Sequence, residues 1–274
     1  MSKKIGALFV LYNPSEEEIL NIIRISSLYD ITYVYDNTEY KIDYIDKLEK
    51  YGIQYYGYKR NDGLSIAYNF IIKKALTEQL EWLSIYDQDS IISEEMVICL
   101  KRFAENTIDK DVACLAPYIQ YSNIKPNYKE TRKILWAINS GQMLNIQNIS
   151  KKGLHFDENL FLDRVDRDFC KQIELAHMKI IQVGGALLKQ QLGEKYNGFS
   201  VHSPLRNYYI QKNRLYYNNK YYGKICGNVI SWIQTCKHVI KVLKSGKDIK
   251  KTIQMIREGC RDYYSGNLGK NRFD

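Results

Sequence analysis

Apolar and polar positions alternate in blocks along this chain, and the blocks change period several times. Short apolar runs bounded by turn residues occur at 5–11 (IGALFVL), 31–36 (ITYVYD), 52–58 (GIQYYGY), 81–87 (EWLSIYD) and 112–119 (VACLAPYI). Runs of that length between turn signals predict buried strands. Residues from about 15 to 28 and from 64 to 76 instead place apolar side chains at helical spacing, and Ser15 with Glu18 fits a capping box. Alternating β and α units predict a mostly parallel α/β sheet with helices on both faces. The run after MSKK is too short for a secretory leader and meets acids with no small-residue cleavage site, so it reads as the first strand.

The pattern changes after His202-Ser203-Pro204. The stretch RNYYIQKNRLYYNNKYYGK is dense in tyrosine and bases. Beyond it, Ile225, Val229, Ile233, Cys236, Ile240 and Leu243 fall near one helical stripe, and Ile249, Ile253, Ile256 and Cys260 near another. These features divide the chain into an α/β domain, 1–204, and a basic helical region, 205–274, expected to pack on the α/β body through its apolar stripes.

Charge follows the same division. The 274-residue chain has a net charge of +9, and residues 201–274 carry 15 Lys/Arg against 4 Asp/Glu. That imbalance points to an anionic partner, either lipid headgroups or nucleic acid, with a solvated helical face as the plain alternative. No run of about 18 apolar residues predicts a membrane span. The six cysteines lack C-x-x-C or finger-like spacing, which argues for reduced thiols of a cytosolic protein and against structural zinc. Neither G-x-G-x-x-G after the first strand nor G-x-x-x-x-G-K-[ST] occurs.

Ligands of open α/β sheets bind beyond the carboxyl ends of the strands. Tyr12-Asn13, Asp36, Asn61 and Asp87/Asp89 all fall at or just after such ends. Asp87-Gln88-Asp89 does not continue as an EF-hand loop, and paired acids at a strand end suit Mg²⁺ or Mn²⁺, which completes its shell with substrate phosphates. A second acidic group, Asp157, Asp163, Asp166 and Asp168, precedes or opens a helix expected near Val165. Some of these acids would only favour the positive helix terminus, but a carboxylate beside apolar NLFLD can also act as a general base. Gly141 sits in a polar turn, NSGQML, where glycine permits close backbone approach. His202 precedes an arginine-bearing helix start.

The motifs VLYNP, YDN, NDGLSIAYN, DQDS, NSG, FLDRVDRDFC and HSPLRNYY occur in an order that resembles the inverting family 2 glycosyltransferases, most closely their bacterial rhamnosyltransferase branch, over about residues 5–218. The resemblance implies a GT-A fold that binds a nucleotide sugar with a divalent cation. It places Tyr12 and Asp36 against the nucleobase, Asn61 near the nucleotide, Asp87 toward the sugar or ribose and Gly141 in the nucleotide-sugar site. Asp89 becomes the ligand of Mg²⁺ or Mn²⁺, His202 approaches that ion or the pyrophosphate, and Asp166 is the catalytic base. Val165 stands where the wider family often has Glu, which leaves Asp163 as a competing base. Gln172 stands where many members carry arginine.

Together these readings imply transfer of rhamnose from dTDP-rhamnose to a lipid-linked glycan acceptor, by a cytoplasmic enzyme that can rest on the inner face of the membrane. The same fold with a UDP-galactose, UDP-glucose or UDP-N-acetylhexosamine donor is the second reading. A single-stranded nucleic-acid module built on residues 206–224 is the third, and no nucleic acid is expected under the first two. A binding protein that keeps the fold without activity completes the set.

Overall fold

In the computed structural model, all residues are described except 1, 2, 41, 42, 122–125, 191–194, 197, 198, 201, 272 and 274, with backbone alone at 195, 196, 199 and 200. The chain divides into two compact units, residues 1–156 with 169–191, and residues 157–168 with 192–274.

The first unit is built on strands β1 (Ile5–Leu11), β2 (Ile31–Asp36), β3 (Gln54–Gly57), β4 (Trp82–Asp87), β5 (Val112–Gln120), β6 (Arg132–Ile134), β7 (Met143–Asn145) and β8 (Lys179–Lys189). They form one sheet in the order β3-β2-β1-β4-β7-β5-β8-β6. β1 is parallel to both β2 and β4, β2 to β3, and β5 to β8, whereas β7 and β6 run antiparallel to their neighbours. Helices α1 (Glu16–Ser26), α2 (Ile45–Glu49), α3 (Gly63–Thr77), α4 (Glu94–Asn106) and α5 (Ile146–Lys151) belong to this unit, and α6 (Val165–Leu175) begins in the second and ends in the first.

Four of the five predicted strands are buried as their pattern implies, whereas β3 is only half-buried. Every residue of β1 except Gly6 is an apolar side chain, and all seven are buried. Ile5, Ala7, Phe9 and Leu11 share a core with Ile19 and Ile22 of α1 and Val97 and Leu100 of α4. The alternate positions Leu8 and Val10 point to the other face and are buried too, so the sheet is covered on both sides, as a parallel sheet requires. The expected capping box is present: Ser15 Oγ accepts from the Glu18 N–H at 3.3 Å, and the Ser15 N–H donates to the Glu18 carboxylate at 2.6 Å. Strand order reverses about β1 and β4, which places a ligand crevice at the carboxyl ends of those two strands.

The second unit carries a two-stranded ribbon, β9 (Lys195–Tyr196) with β10 (Phe199–Ser200), and helices α7 (Pro204–Tyr222), α8 (Lys224–Ser245) and α9 (Ile249–Tyr264). α7 lies between the other two. Glycines set its contacts: a Cβ on Gly227 of α8 would stand 2.6 Å from the Asn218 carbonyl oxygen, and one on Gly259 of α9 2.6 Å from that of Tyr208. The buried side chains of α7 are largely polar, among them Asn207, Gln211, Lys212, Asn213, Arg214 and Asn218. Lys212 Nζ donates to the Gly269 carbonyl at 2.8 Å and the Tyr208 hydroxyl at 3.1 Å, and burial pushes its ammonium down to about 8.

Two expectations for this region change. Tyr208, Tyr209, Lys212 and Arg214, which a nucleic-acid surface needs exposed, are buried. The apolar stripe of α8, expected to be a packing face, is exposed from Ile225 through Leu243. Polar side chains of α7 select polar partners on α8, so Ser231 and Thr235 turn inward instead.

Candidate active site

In the first unit the carboxyl ends of β1 and β4 are tied by one side chain that motif reading passed over. Gln88 Oε1 accepts from the Tyr12 N–H at 2.7 Å, and its Nε2 donates to the Tyr12 carbonyl at 3.3 Å. This reciprocal bond holds the turn after β1 beside Asp87-Gln88-Asp89. Tyr12 itself is half exposed, and Asn13 takes a left-handed φ of 49°.

The NSG turn joins the same place from the other side. The Gly141 N–H donates to the Ile85 carbonyl at 2.8 Å, and Ile85 N–H donates to Gln142 at 2.8 Å. Ser140 Oγ accepts from the Asp87 N–H at 3.4 Å and hydrogen-bonds Ser90 Oγ. Gly141 has φ 84°, and a Cβ there would meet Pro117 at 2.8 Å and Leu188 at 3.0 Å. Its close approach is therefore to β5 and β8 of the protein. Ser140 also lines a cavity of about 220 Å³ with Pro117, Tyr118, Trp136 and Ala137.

Asp36 and Asn61 lie in a second hydrogen-bonded group of this unit. The Asp36 carboxylate is fully buried and accepts from the Thr38 N–H (2.8 Å), the Tyr44 hydroxyl (2.6 Å) and the Tyr55 hydroxyl (2.9 Å). Burial, then the hydrogen bond to Asp36, raises both tyrosines well above their usual range, so they stay protonated donors. Thr38 Oγ1 in turn accepts from the Asn13 N–H at 2.9 Å, which connects Asp36 to the turn after β1. Asn61 Oδ1 caps the Gly63 N–H at 3.0 Å, and Asn37 bridges Asp62 N–H and the Gly63 carbonyl. Further along α3, Asn69 brackets Phe156 by accepting from its N–H and donating to its carbonyl, both at 2.9 Å.

Asp89 follows in the turn after β4. It is exposed, and among the described residues its carboxylate has no hydrogen-bond or ion-pair partner. An unengaged anionic oxygen at a strand end fits a hard divalent cation. No group of three or more His, Cys, Asp or Glu capable of holding a metal occurs among the described residues.

In the second unit the segment 157–168 is held by α7. Asp163 and Arg164 take consecutive left-handed conformations, φ 58° and 67°, which costs energy for side chains with a Cβ. Asn213 of α7 holds this turn by donating to the carbonyls of Leu162 and Asp163. Asp166 lies in the first turn of α6, partly buried, with one oxygen accepting from the Arg167 N–H at 2.7 Å. Burial raises its carboxyl above the ordinary range and Asp163 adds to the rise, against the Arg167 N–H and guanidinium. Asp163 pairs with Arg206 at 3.2 Å through one oxygen, while its other oxygen is buried without a partner among the described residues. Burial and Arg206 hold the His202 imidazole below its usual range, with Asp163 opposing. Neutral imidazole is the metal-ligating form.

The other two acids are structural. Asp168 is fully buried and pairs with Lys220 at 2.7 Å and the Tyr221 hydroxyl at 2.9 Å. Asp157 accepts from Lys220 and from the Tyr216 hydroxyl, each at 2.7 Å. Asp168→Ala is expected to destabilise the protein by about 1–3 kcal/mol, because the Tyr221 hydroxyl loses its buried acceptor while Lys220 keeps only Asp157. A chemical denaturation curve reads this as a lower midpoint, and an unchanged midpoint would refute the structural role.

The fold and these strand ends define a GT-A glycosyltransferase architecture. TarS residues 1–349 of S. aureus in complex with UDP superposes with TM-score 0.55 at 14% identity, covering 96% of this chain and 72% of that one. GalNAc-T7 with UDP, GalNAc and Mn²⁺ gives 0.55 at 13% identity over 77% and 47% of the two chains. The profile of Glycosyl transferase family 2 matches residues 19–170, and the chain belongs to that family. The chain is also similar to dTDP-rhamnosyl transferase RfbF of Shigella flexneri, 24% identical over 297 residues, 97% of this chain and 98% of that protein.

Proposed function

We propose that this glycosyltransferase moves L-rhamnose from dTDP-L-rhamnose to a hydroxyl of a lipid-linked glycan, with inversion at the anomeric carbon. The unengaged Asp89 carboxylate at the β1/β4 crevice carries the transferase reading, and likeness to a dTDP-rhamnosyl transferase over nearly the whole chain supports the donor. Cleaving a sugar–phosphate bond builds negative charge on the departing diphosphate and positive charge on the anomeric carbon. Asp89 would hold Mg²⁺ or Mn²⁺, which when bound supplies Lewis-acid stabilisation of the leaving group. Asp166 removes the proton of the attacking hydroxyl. Direct displacement by that hydroxyl needs no protein nucleophile and gives an α-linked product from a β-linked donor.

The nucleotide is assigned to the crevice beside Tyr12, whose half-exposed ring offers a stacking face. Asp36 contributes indirectly, since its carboxylate orients Thr38 and through it the Asn13 turn. Asn61 shapes the start of α3, Gly141 permits the turn that fixes Ser140, and Asp87 lies next to the bound sugar or ribose. A lipid-linked acceptor would be met at the inner face of the cell membrane. A panel of nucleotide sugars with mass-spectrometric readout tests the donor. Turnover is expected with dTDP-rhamnose, and turnover with UDP-hexoses alone would reject rhamnose in favour of the donor nucleotide bound by the UDP-containing neighbours.

A further inference from the structure

We infer that α8 is a membrane-surface helix whose outward apolar face seats in the headgroup layer of an anionic lipid bilayer. The inner side of α8 is made of small and polar groups. Asn218 Nδ2 donates to Ser231 Oγ at 2.9 Å, Thr235 Oγ1 donates to Gln211 Oε1 at 2.8 Å, and His238 Nε2 bonds Asn207 Oδ1 at 2.6 Å. Gly227 completes that side by its contact with the α7 backbone.

The outer side is apolar. Ile225 is 82% exposed, Val229 55%, Trp232 46%, Ile233 53%, Ile240 51% and Leu243 51%. At 100° per residue these positions fall in a sector of roughly 100°, turned away from Ser231 and Thr235. A surface helix in water has the opposite arrangement, with its apolar stripe inward. A contiguous outward stripe of this length marks an interaction surface.

Charge selects the partner. α8 contains no acid, and residues 224–251 hold seven lysines against one aspartate. Lys237, Lys241 and Lys244 run along one border of the stripe, within reach of phosphates while the apolar side chains enter the acyl boundary. A second copy of the chain would set the same lysine border against itself with no acid on α8 to neutralise it. Trp232, within the stripe, has the amphipathic ring favoured at membrane interfaces. No helix among the described residues is long and apolar enough to cross a membrane, so α8 would lie in the interface plane.

This surface deepens the lipid-linked acceptor reading, yet its test needs no sugar. The full chain is floated with phosphatidylcholine vesicles, with and without phosphatidylglycerol. Binding is expected only with the anionic lipid, reduced about tenfold or more at high salt. The triple variant I233Q/I240Q/L243Q is expected to bind about tenfold or more weakly while keeping its circular-dichroism melt and its nucleotide-sugar turnover on a soluble acceptor. Bromine-labelled acyl chains should quench Trp232, and the quenched component should vanish in W232F. Absence of binding, equal binding to neutral vesicles, or a dimer of the free chain that the triple variant dissociates would each overturn the inference. Vesicle binding by a chain that turns over no nucleotide sugar would support the lipid surface and overturn the enzymatic reading instead.

Discussion

Asp166→Asn is expected to leave donor binding intact and to lower turnover by about 10²-fold or more, the usual loss when a general base is removed. Asparagine keeps the size of the side chain and can still accept from the Arg167 N–H, so the start of α6 should persist. It cannot take a proton. The sign of the pH dependence follows from the same side chain. A base works only when ionised, and burial with Asp163 nearby raises the Asp166 carboxyl above the ordinary range. Turnover should therefore fall as pH drops, beginning at a higher pH than an unperturbed aspartate would give. That acidic limb should disappear from the residual activity of Asp166→Asn. Asp163 is the control, because its second oxygen is buried without a partner among the described residues. A fully active Asp166→Asn beside a dead Asp163→Asn would transfer the base to residue 163.

Asp89→Ala should remove the response of nucleotide-diphosphate affinity to Mg²⁺ or Mn²⁺ and lower turnover by about 10³-fold, corresponding to the several kcal/mol a cation contributes at a leaving group. Calorimetry of dTDP binding with and without the ion measures the first effect, and steady-state kinetics the second. Asp89 is exposed and engages no described neighbour, so its thermal melt should match that of the unaltered protein. A variant whose dTDP affinity still rises with metal would show that the ion is held elsewhere.

Much of the first unit was legible because its signals are local. Seven consecutive buried positions make β1, Ser15 and Glu18 start α1, and acids stop β2 and β4 at the places where a parallel sheet binds ligands. The helical character of 205–264 was legible for the same reason. β6 and β7 were not, since strands of three residues are too short to show a period. Yet β7, inserted antiparallel between β4 and β5, is what carries Ser140 to the Asp87 N–H. Gln88 was likewise only a spacer between two acids until the Tyr12 backbone came beside it. Asp36 was legible as a strand-end acid, but its three donors come from residues 38, 44 and 55, and only folding brings them together.

The stripe on α8 separates the two kinds of information most clearly. Its spacing was readable as amphipathic, because periodicity records which side chains share a face. Which face meets protein depends on the neighbour, and α7 presents asparagine, glutamine and arginine. Sequence by itself determined the longer strands, the long helices, the family motifs and the excess of lysine near the C-terminus. Tertiary structure decided which acids are engaged by hydrogen bonds, which one meets no described partner, and which side of α8 faces outward, because each depends on partners distant in the chain and on the burial they create.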